Sequence, residues 1–206
     1  MKEIITELKV WLEQLENFTL PNWDSLPDLD LYMDQVITYL EKQLSPLTVE
    51  EHEKLITPFM INNYVKGNLI PSPIKKKYSR EHMGFILGIC SVKQVLSISD
   101  ISKLRSRIKS DNIEDLYQIF IKNWQDNLHH IAFTSKQEIN SYVNELLNEE
   151  SDEIDEDTKE LLINRLNYLA LKLAIEAEAQ KIIATKIIYL LNKSYDEDLE
   201  KKKKKK

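Results

Sequence analysis

The chain has 206 residues, of which 42% are apolar, and it carries a formal net charge of −6 at neutral pH. Three glycines and six prolines are too few to separate many strands, so we expect an all-α fold with one small wing. No apolar run reaches the roughly 18 residues of a membrane span and no basic leader opens the chain, which predicts a cytoplasmic protein without a membrane partner. Cys90 is the single cysteine, which excludes an internal disulfide. It lies among apolar residues, which predicts a buried thiol.

Two helices are expected in the first quarter of the chain. Apolar side chains recur at helical spacing over residues 2–17 and again over residues 29–44. Thr48 and Glu51 have the spacing of a capping box, which predicts a further short helix over residues 49–55.

A third short helix has clear signals at both ends. Thr57 is a favourable N-cap, Pro58 suits the first helical position, and Gly67 is expected to take the left-handed conformation that ends a helix. Apolar residues at i, i+4 and i+8 would face a core: Ile61, Val65 and Leu69. The pattern predicts a helix of two to three turns with one buried face.

The other face of this third helix carries two amides and a cation, namely Asn62, Asn63 and Lys66. The amide of asparagine can pair with both N6 and N7 of adenine in the major groove. Lys66 and Tyr64 are the kinds of side chain that reach phosphate oxygens. The residues therefore predict a helix that reads DNA bases.

A basic segment follows the third helix. Pro71 and Pro73 exclude a helix and favour an extended or turning path. Cations and a tyrosine come next and are expected to contact the DNA backbone: Lys75, Lys76, Lys77, Tyr78 and Arg80. The segment is interpreted as a wing, and a solvated charged turn is the alternative. Helices are expected to follow over residues 79–96 and from Ser97 or Ser99 to residue 108.

Charge is distributed unevenly along the chain. Residues 65–110 contain ten cations and two acids, a local balance of +8, so the remainder carries −14. A basic module on an acidic body is the pattern expected when one face approaches phosphate. Chance clustering on solvated helices is the alternative.

Residues 57–71 and 77–79 resemble the recognition helix and wing of MerR-type winged helix-turn-helix regulators. More closely, LPDLDLYMDQV at 26–36 and MINNYVK at 60–66 resemble the YkrK-like domain-of-unknown-function family of bacteria, over roughly residues 20–110. The resemblance implies a MerR-like fold that binds DNA. It implies no particular operator or effector.

Beyond residue 110 the chain predicts more helices. An apolar stripe over residues 113–124 predicts one, and Ser135 with Glu138 predicts the cap of another that ends at Leu147. An acidic linker over residues 148–157 separates these from a long C-terminal helix.

This long helix, predicted over residues 158–192, carries leucines at alternating spacings of four and three: Leu162, Leu166, Leu169 and Leu173. The seam is typical of a dimerisation helix, and a central helix of a monomeric bundle is the alternative. Residues 196–206 end in six lysines and are predicted to be disordered.

No group of residues suggests catalysis or a metal site. The adjacent His129 and His130 point apart on a helix, and three glycines cannot build a phosphate loop. We therefore expect neither an enzyme nor a cofactor.

The sequence thus predicts a DNA-binding domain over residues 1–110, a helical dimerisation or effector region over 111–195 and a charged tail over 196–206. The expected function is a transcription regulator that binds double-stranded DNA as a homodimer. The alternative is a helical protein-interaction module that has a winged-helix shape and does not read DNA.

Overall fold

A computed structural model describes residues 1–49, 54–107, 112–146 and 154–203. Within these ranges the chain is helical apart from one two-stranded sheet and short connections, which confirms the predicted all-α class. In the same part of the chain, no helix is long and apolar enough to cross a membrane.

The chain forms two compact units that are not contiguous in sequence. Unit 1 contains Met1–Leu20 and Lys122–Ala177, and unit 2 contains Pro21–Ile121 and Glu178–Lys206. The division at residue 110 proposed above is a division by function, and it stays a prediction.

Unit 1 packs α1 (Lys2–Glu16) against the part of α6 (Ile113–Leu146) that follows residue 121. The ring of Phe18 meets Trp124 edge to face, with 5.8 Å between the ring centroids. The ammonium of Lys136 lies 2.8 Å from a carboxylate oxygen of Glu16. The predicted first helix is confirmed to within one residue.

Polar contacts also join α6 to α7 (Glu156–Lys203) within unit 1. Lys172 binds Glu138, and Arg165 lies 3.0 Å from the carboxylate of Glu145. The earlier residue of α6 pairs with the later residue of α7, so the two helices run antiparallel.

The prediction of two helices between residues 113 and 147 is wrong. One helix of 34 residues spans this segment, and Ser135 lies buried in its middle instead of capping a new helix. The segment contains no glycine or proline, so nothing in the backbone interrupts the helical hydrogen bonds.

The last helix is longer than its apolar pattern predicts. Asp155 caps it, because the backbone N–H of Thr158 donates to its Oδ1 at 2.8 Å, and the helix continues to Lys203. Residues 196–203 are thus helical where disorder was expected. Most of the predicted acidic linker, its residues 148–153, lies outside the described residues.

Unit 2 contains α2 (Met33–Leu44), α3 (Pro58–Lys66), α4 (Arg80–Val92), α5 (Ile98–Arg107) and the first turns of α6. The strands β1 (Leu31–Tyr32) and β2 (Lys77–Tyr78) pair antiparallel. Fully buried aliphatic residues from these helices and the loop after α3 form the core: Val36, Leu40, Ile61, Leu69, Ile86 and Leu87.

Helix α2 begins four residues later than predicted. Leu31 and Tyr32 form the strand that pairs with β2, and the backbone N–H of Tyr32 donates to Gln35 Oε1 at 2.9 Å. The partner strand lies more than 40 residues away, so the local helical pattern gives no sign of the pairing.

The predicted capping box pairs Thr48 with Glu51, and Glu51 lies in residues 50–53, which are outside the described part of the chain. Most of the short helix predicted over residues 49–55 lies there as well. The hydroxyl of Thr48 instead donates to the carbonyl of Ser45 at 2.7 Å. This contact closes a short 3-10 turn over Ser45–Leu47.

Two glycines of α4 have opposite surroundings. A Cβ at Gly84 would lie 3.1 Å from the ring of Trp23 and 3.2 Å from that of Tyr117, whose hydroxyl donates to the carbonyl of Pro21 at 2.7 Å. A Cβ at Gly88 would meet only the ring of Phe120, at 3.8 Å or more. Gly84 is therefore required for close packing, and Gly88 leaves space.

We expect Gly84→Ala to lower the free energy of unfolding by about 1 kcal/mol, because overpacking outweighs the gain of about 1 kcal/mol in helix propensity. Gly88→Ala is the matched control and should raise the same quantity by about 1 kcal/mol. Urea denaturation followed by circular dichroism measures both changes. Equal effects at the two positions would contradict a firm contact between Gly84 and the two rings.

Candidate nucleic-acid interface

The start of α3 is formed as the sequence predicts. The hydroxyl oxygen of Thr57 accepts a hydrogen bond from the backbone N–H of Met60 at 3.3 Å, and Pro58 occupies the first turn. The cap satisfies one of the helix's otherwise unpaired N–H groups. The predicted third helix is confirmed.

The end of α3 differs from the prediction. Gly67 has a φ of −80°, and the left-handed residue is Asn68, with a φ of 54°. The N–H of Leu69 donates to the carbonyl of Tyr64 at 2.9 Å, and that of Asn68 to the carbonyl of Val65 at 3.0 Å. These bonds form a Schellman motif, in which asparagine is a common substitute for glycine.

Cations from later in unit 2 bind the chain at both ends of α3. The ammonium of Lys93 donates to the carbonyl of Leu55, three residues before α3 begins. The guanidinium of Arg105 donates to the carbonyls of Asn68, at 2.9 Å, and of Leu69. We call Lys93 and Arg105 the α3 clamp, because they hold the chain on either side of the helix. Their hydrogen bonds are charge-assisted and therefore stronger than bonds between neutral groups.

The clamp changes the interpretation of the local charge. Two of the ten cations between residues 65 and 110 bind backbone carbonyls, and a third, Lys103, lies 4.0 Å from the carboxylate of Asp100. These three cations are therefore less available to a ligand than their contribution to the balance of +8 suggests.

The outward face of α3 consists of Phe59, Asn62, Asn63 and Lys66, all exposed to solvent. These positions follow the spacing i, i+3, i+4 and i+7, so one helical stripe carries them all. Both asparagines and Lys66 thus lie where the sequence analysis expects them. Phe59, with 73% of its side chain exposed, was not predicted, although its position three residues before Asn62 was a sufficient signal.

Tyr64 lies in the core and not on the outward face. Only 3% of it is exposed, and burial, with a smaller effect from Cys90, raises the pKa of its phenol well above the usual range. The expected contact of Tyr64 with phosphate is therefore wrong. Cys90 is also buried, as predicted, and burial raises the pKa of its thiol to about 11 although Lys93 opposes the shift.

The basic segment forms a tight hairpin between Ile74 and Lys77. Their backbones exchange two hydrogen bonds, of 3.2 and 2.9 Å. The two residues between them, Lys75 and Lys76, have φ values of 50° and 63°. Two left-handed residues are the pattern of a type I′ turn, which normally contains Asn-Gly.

This turn holds two lysines in a strained conformation. A non-glycine residue in the left-handed region is disfavoured by about 1–2 kcal/mol. Both Lys75 and Lys76 are exposed, so the hairpin tip presents two adjacent ammonium groups to solvent. Strained residues with no packing role are a reason to suspect a function.

The remaining predicted contacts of the basic segment are less exposed. Lys77 is half-buried, with its ammonium 5.2 Å from the ring centroid of Tyr32 on the opposite strand. Tyr78 is 3% exposed and packs edge to face on His82, so its predicted contact with DNA is also wrong. Arg80 is half-buried at the start of α4.

Helix α2 is the common support of these elements, since it contacts α3, β1 and β2. The segment that runs from residue 54 to residue 80 contains six cations and no acid. An anionic ligand of α3 and the hairpin therefore meets no carboxylate from the segment itself.

The predicted dimer seam is placed inside unit 1. Leu162 and Leu169 are 1% and 5% exposed, and Leu166 and Leu173 are half-buried. The same helix exposes a different set later in the chain, which we call the α7 stripe: Ile183, Ile187, Leu190 and Leu191, each more than 50% exposed. These positions follow the spacing i, i+4, i+7 and i+8, which places them along one side of the helix.

Within the described residues, no group of three or more histidine, cysteine or acidic side chains is arranged to hold a metal ion. The chemistry of the region is therefore that of its exposed amides, cations and apolar groups.

Comparison with known proteins adds one finding. A family model described as Domain of unknown function (DUF1836) matches residues 21–124. No curated protein and no solved structure matches the chain. The matched segment begins where unit 2 begins and includes α2, α3, the sheet, α4 and α5. Because it covers half of the chain, the protein belongs to the family of this domain of unknown function.

Proposed function

We propose that the protein is a transcription regulator of MerR-like type that binds duplex DNA through α3 and the hairpin over residues 74–77. The observation that carries the proposal is the outward face of α3, where two asparagines and a lysine lie exposed on a helix fixed at both ends. Asparagine is the side chain best suited to adenine, and a helix is the element that fits the major groove.

The residues divide into two roles. Asn62 and Asn63 read base edges, and Phe59 offers an apolar contact to a thymine methyl group. The cations contact phosphate and fix the register: Lys66, Lys75, Lys76, Lys77 and Arg80. The buried Tyr64 and Tyr78 support the core and take no part.

The proposed regulator is a homodimer that pairs through the α7 stripe. An apolar stripe of this kind on a helix normally packs against another helix or strand. A second copy supplies an identical stripe, and two-fold symmetry matches the two half-sites of a palindromic operator.

One observation favours a second candidate, a protein-interaction module that does not read DNA. Phe59 and Ile74 are both 73% exposed, and exposed apolar groups also suit a protein partner. The two candidates differ in whether any DNA sequence is preferred.

Genomic fragments retained by the protein at about 0.15 M salt should share an inverted repeat. On that site, Asn63→Ala should cost roughly 1–3 kcal/mol of binding free energy and relax the preference for one base. Its affinity for random DNA should change little. Gln94→Ala, which removes an exposed amide in the turn after α4, is the matched control and should change neither.

The selection is repeated without Lys201–Lys206, since a lysine run binds phosphate nonspecifically. The absence of any enriched sequence would count against DNA reading and favour the protein-interaction module. Equal losses on specific and random DNA would show that Asn63 is not a base contact.

The double substitution Lys75→Asn/Lys76→Gly installs the preferred residues of a type I′ turn. It should raise the free energy of unfolding by roughly 1–2 kcal/mol. It should also lower the slope of DNA affinity against salt concentration, on logarithmic axes, by the amount that corresponds to the loss of about two phosphate contacts. Denaturant unfolding and binding titrations at several salt concentrations measure the two effects.

The control for charge is Lys122→Gln/Lys181→Gln, which removes two exposed lysines elsewhere. It should leave the salt dependence nearly unchanged. A turn variant that binds DNA with unchanged salt dependence would exclude the hairpin tip from the interface.

Ile187→Glu should weaken dimerisation at least about tenfold, because it places a carboxylate in the apolar seam. Thr185→Glu adds the same charge at an exposed position on the other side of α7 and should not affect dimerisation. Sedimentation equilibrium compares each protein with the 24.3 kDa mass of one chain. A monomeric wild type, or a dimer that persists in Ile187→Glu, would exclude this interface.

A further inference from the structure

Unit 2 contains an apolar pocket of about 280 Å³ between α4, α5 and the first turns of α6. Three aromatic rings line it, those of Phe85, Tyr117 and Phe120, together with aliphatic side chains. We call it the α4–α6 pocket.

The space exists partly because Gly88 forms one wall. A Cβ there would touch only the ring of Phe120, at ordinary contact distances. Glycine in a helix interior is less favourable than alanine by about 1 kcal/mol, so packing alone gives no reason for it. The helix thus loses stability at the position where a larger side chain would reduce the pocket.

The lining determines the chemistry of a ligand. Arg105 is the one charged residue among those that line the pocket, and its guanidinium is already bound to the carbonyls of Asn68 and Leu69. It also lies 4.2 Å from the ring centroid of Phe85. A charged ligand would gain little there, whereas an uncharged one would bury apolar surface against the lining.

The volume determines the size. An engineered apolar cavity of about 150 Å³ holds one benzene ring, so about 280 Å³ suits two fused rings or a comparable aliphatic group. We infer that the α4–α6 pocket binds an uncharged hydrophobic small molecule of about this size.

The position of the pocket gives the ligand a second effect, which rests on the proposed DNA binding. Leu69 and Arg105 line the pocket, and Arg105 also binds the carbonyl of Leu69, three residues after α3 ends. A bound molecule contacts both residues and thereby shifts the orientation or rigidity of α3. The pocket is then the effector site of the regulator.

The first test measures binding without DNA. The probe is 6-propionyl-2-(dimethylamino)naphthalene, an uncharged dye built on two fused rings whose emission shifts to the blue in apolar surroundings, titrated into the full chain. The wild type should bind it saturably, with one molecule per chain. Gly88→Leu fills the space and should weaken binding at least about tenfold, whereas Gly88→Ala should weaken it less than about threefold.

Two further variants make the result decisive. Ile187→Glu alters the exposed α7 stripe and should leave dye binding unchanged, and a loss there would place the dye on that surface and overturn the inference. If circular dichroism shows that Gly88→Leu does not fold, Val92→Phe fills the pocket from the last turn of α4 with the same expected loss. Wild-type affinity in a folded filled variant, or no saturable binding at all, would also overturn it.

The second test adds the operator DNA. A saturating concentration of the dye should change the DNA affinity of the wild type at least about threefold and leave that of the folded filled variant unchanged. An unchanged affinity would overturn the effector role while the pocket stands. A protein that binds the dye and no DNA would refute the proposed function and leave the pocket intact.

Discussion

The α3 clamp is the interaction on which the rest of unit 2 depends. A helix of nine residues is too short to be stable by itself, and the outward face of α3 contributes nothing to the core. The bonds from Lys93 and Arg105 hold the chain at the two ends of the helix, and Ile61 and Tyr64 anchor its inner face. The outward positions can therefore hold amides and a cation without loss of the fold.

The hairpin tip shows the opposite relation between stability and sequence. Lys75 and Lys76 occupy backbone conformations that asparagine and glycine adopt more easily, and neither lysine packs against the core. Residues that lower the stability of the fold and make no stabilising contact in exchange are concentrated at functional sites. Gly88 is a second example, since it leaves the α4–α6 pocket open in a helix that alanine would stabilise.

These features are connected through a few shared side chains. Arg105 bonds the chain after α3, stacks on Phe85 and lines the pocket, so the same guanidinium supports the helix of the candidate DNA interface and forms part of the candidate ligand site. The outward face of α3 carries two amides, a cation and Phe59 and contains no acid, and the pocket behind its end is apolar. Allosteric coupling requires two distinct sites and an element that connects them, and the proposed function rests on this arrangement.

The sequence by itself determined the local features of this protein. Thr57 and Pro58 defined the start of α3, and helical spacing placed Asn62 and Asn63 on its outer face, because caps and periodicity depend on residues within one or two turns. Only the tertiary structure decided where the tyrosines of the basic region and the leucines of α7 lie. Tyr64 and Tyr78 went into the core, and the leucine seam of α7 packed inside unit 1. The clamp joins residues more than 30 positions apart, and such contacts depend on how distant elements pack, which no local pattern records.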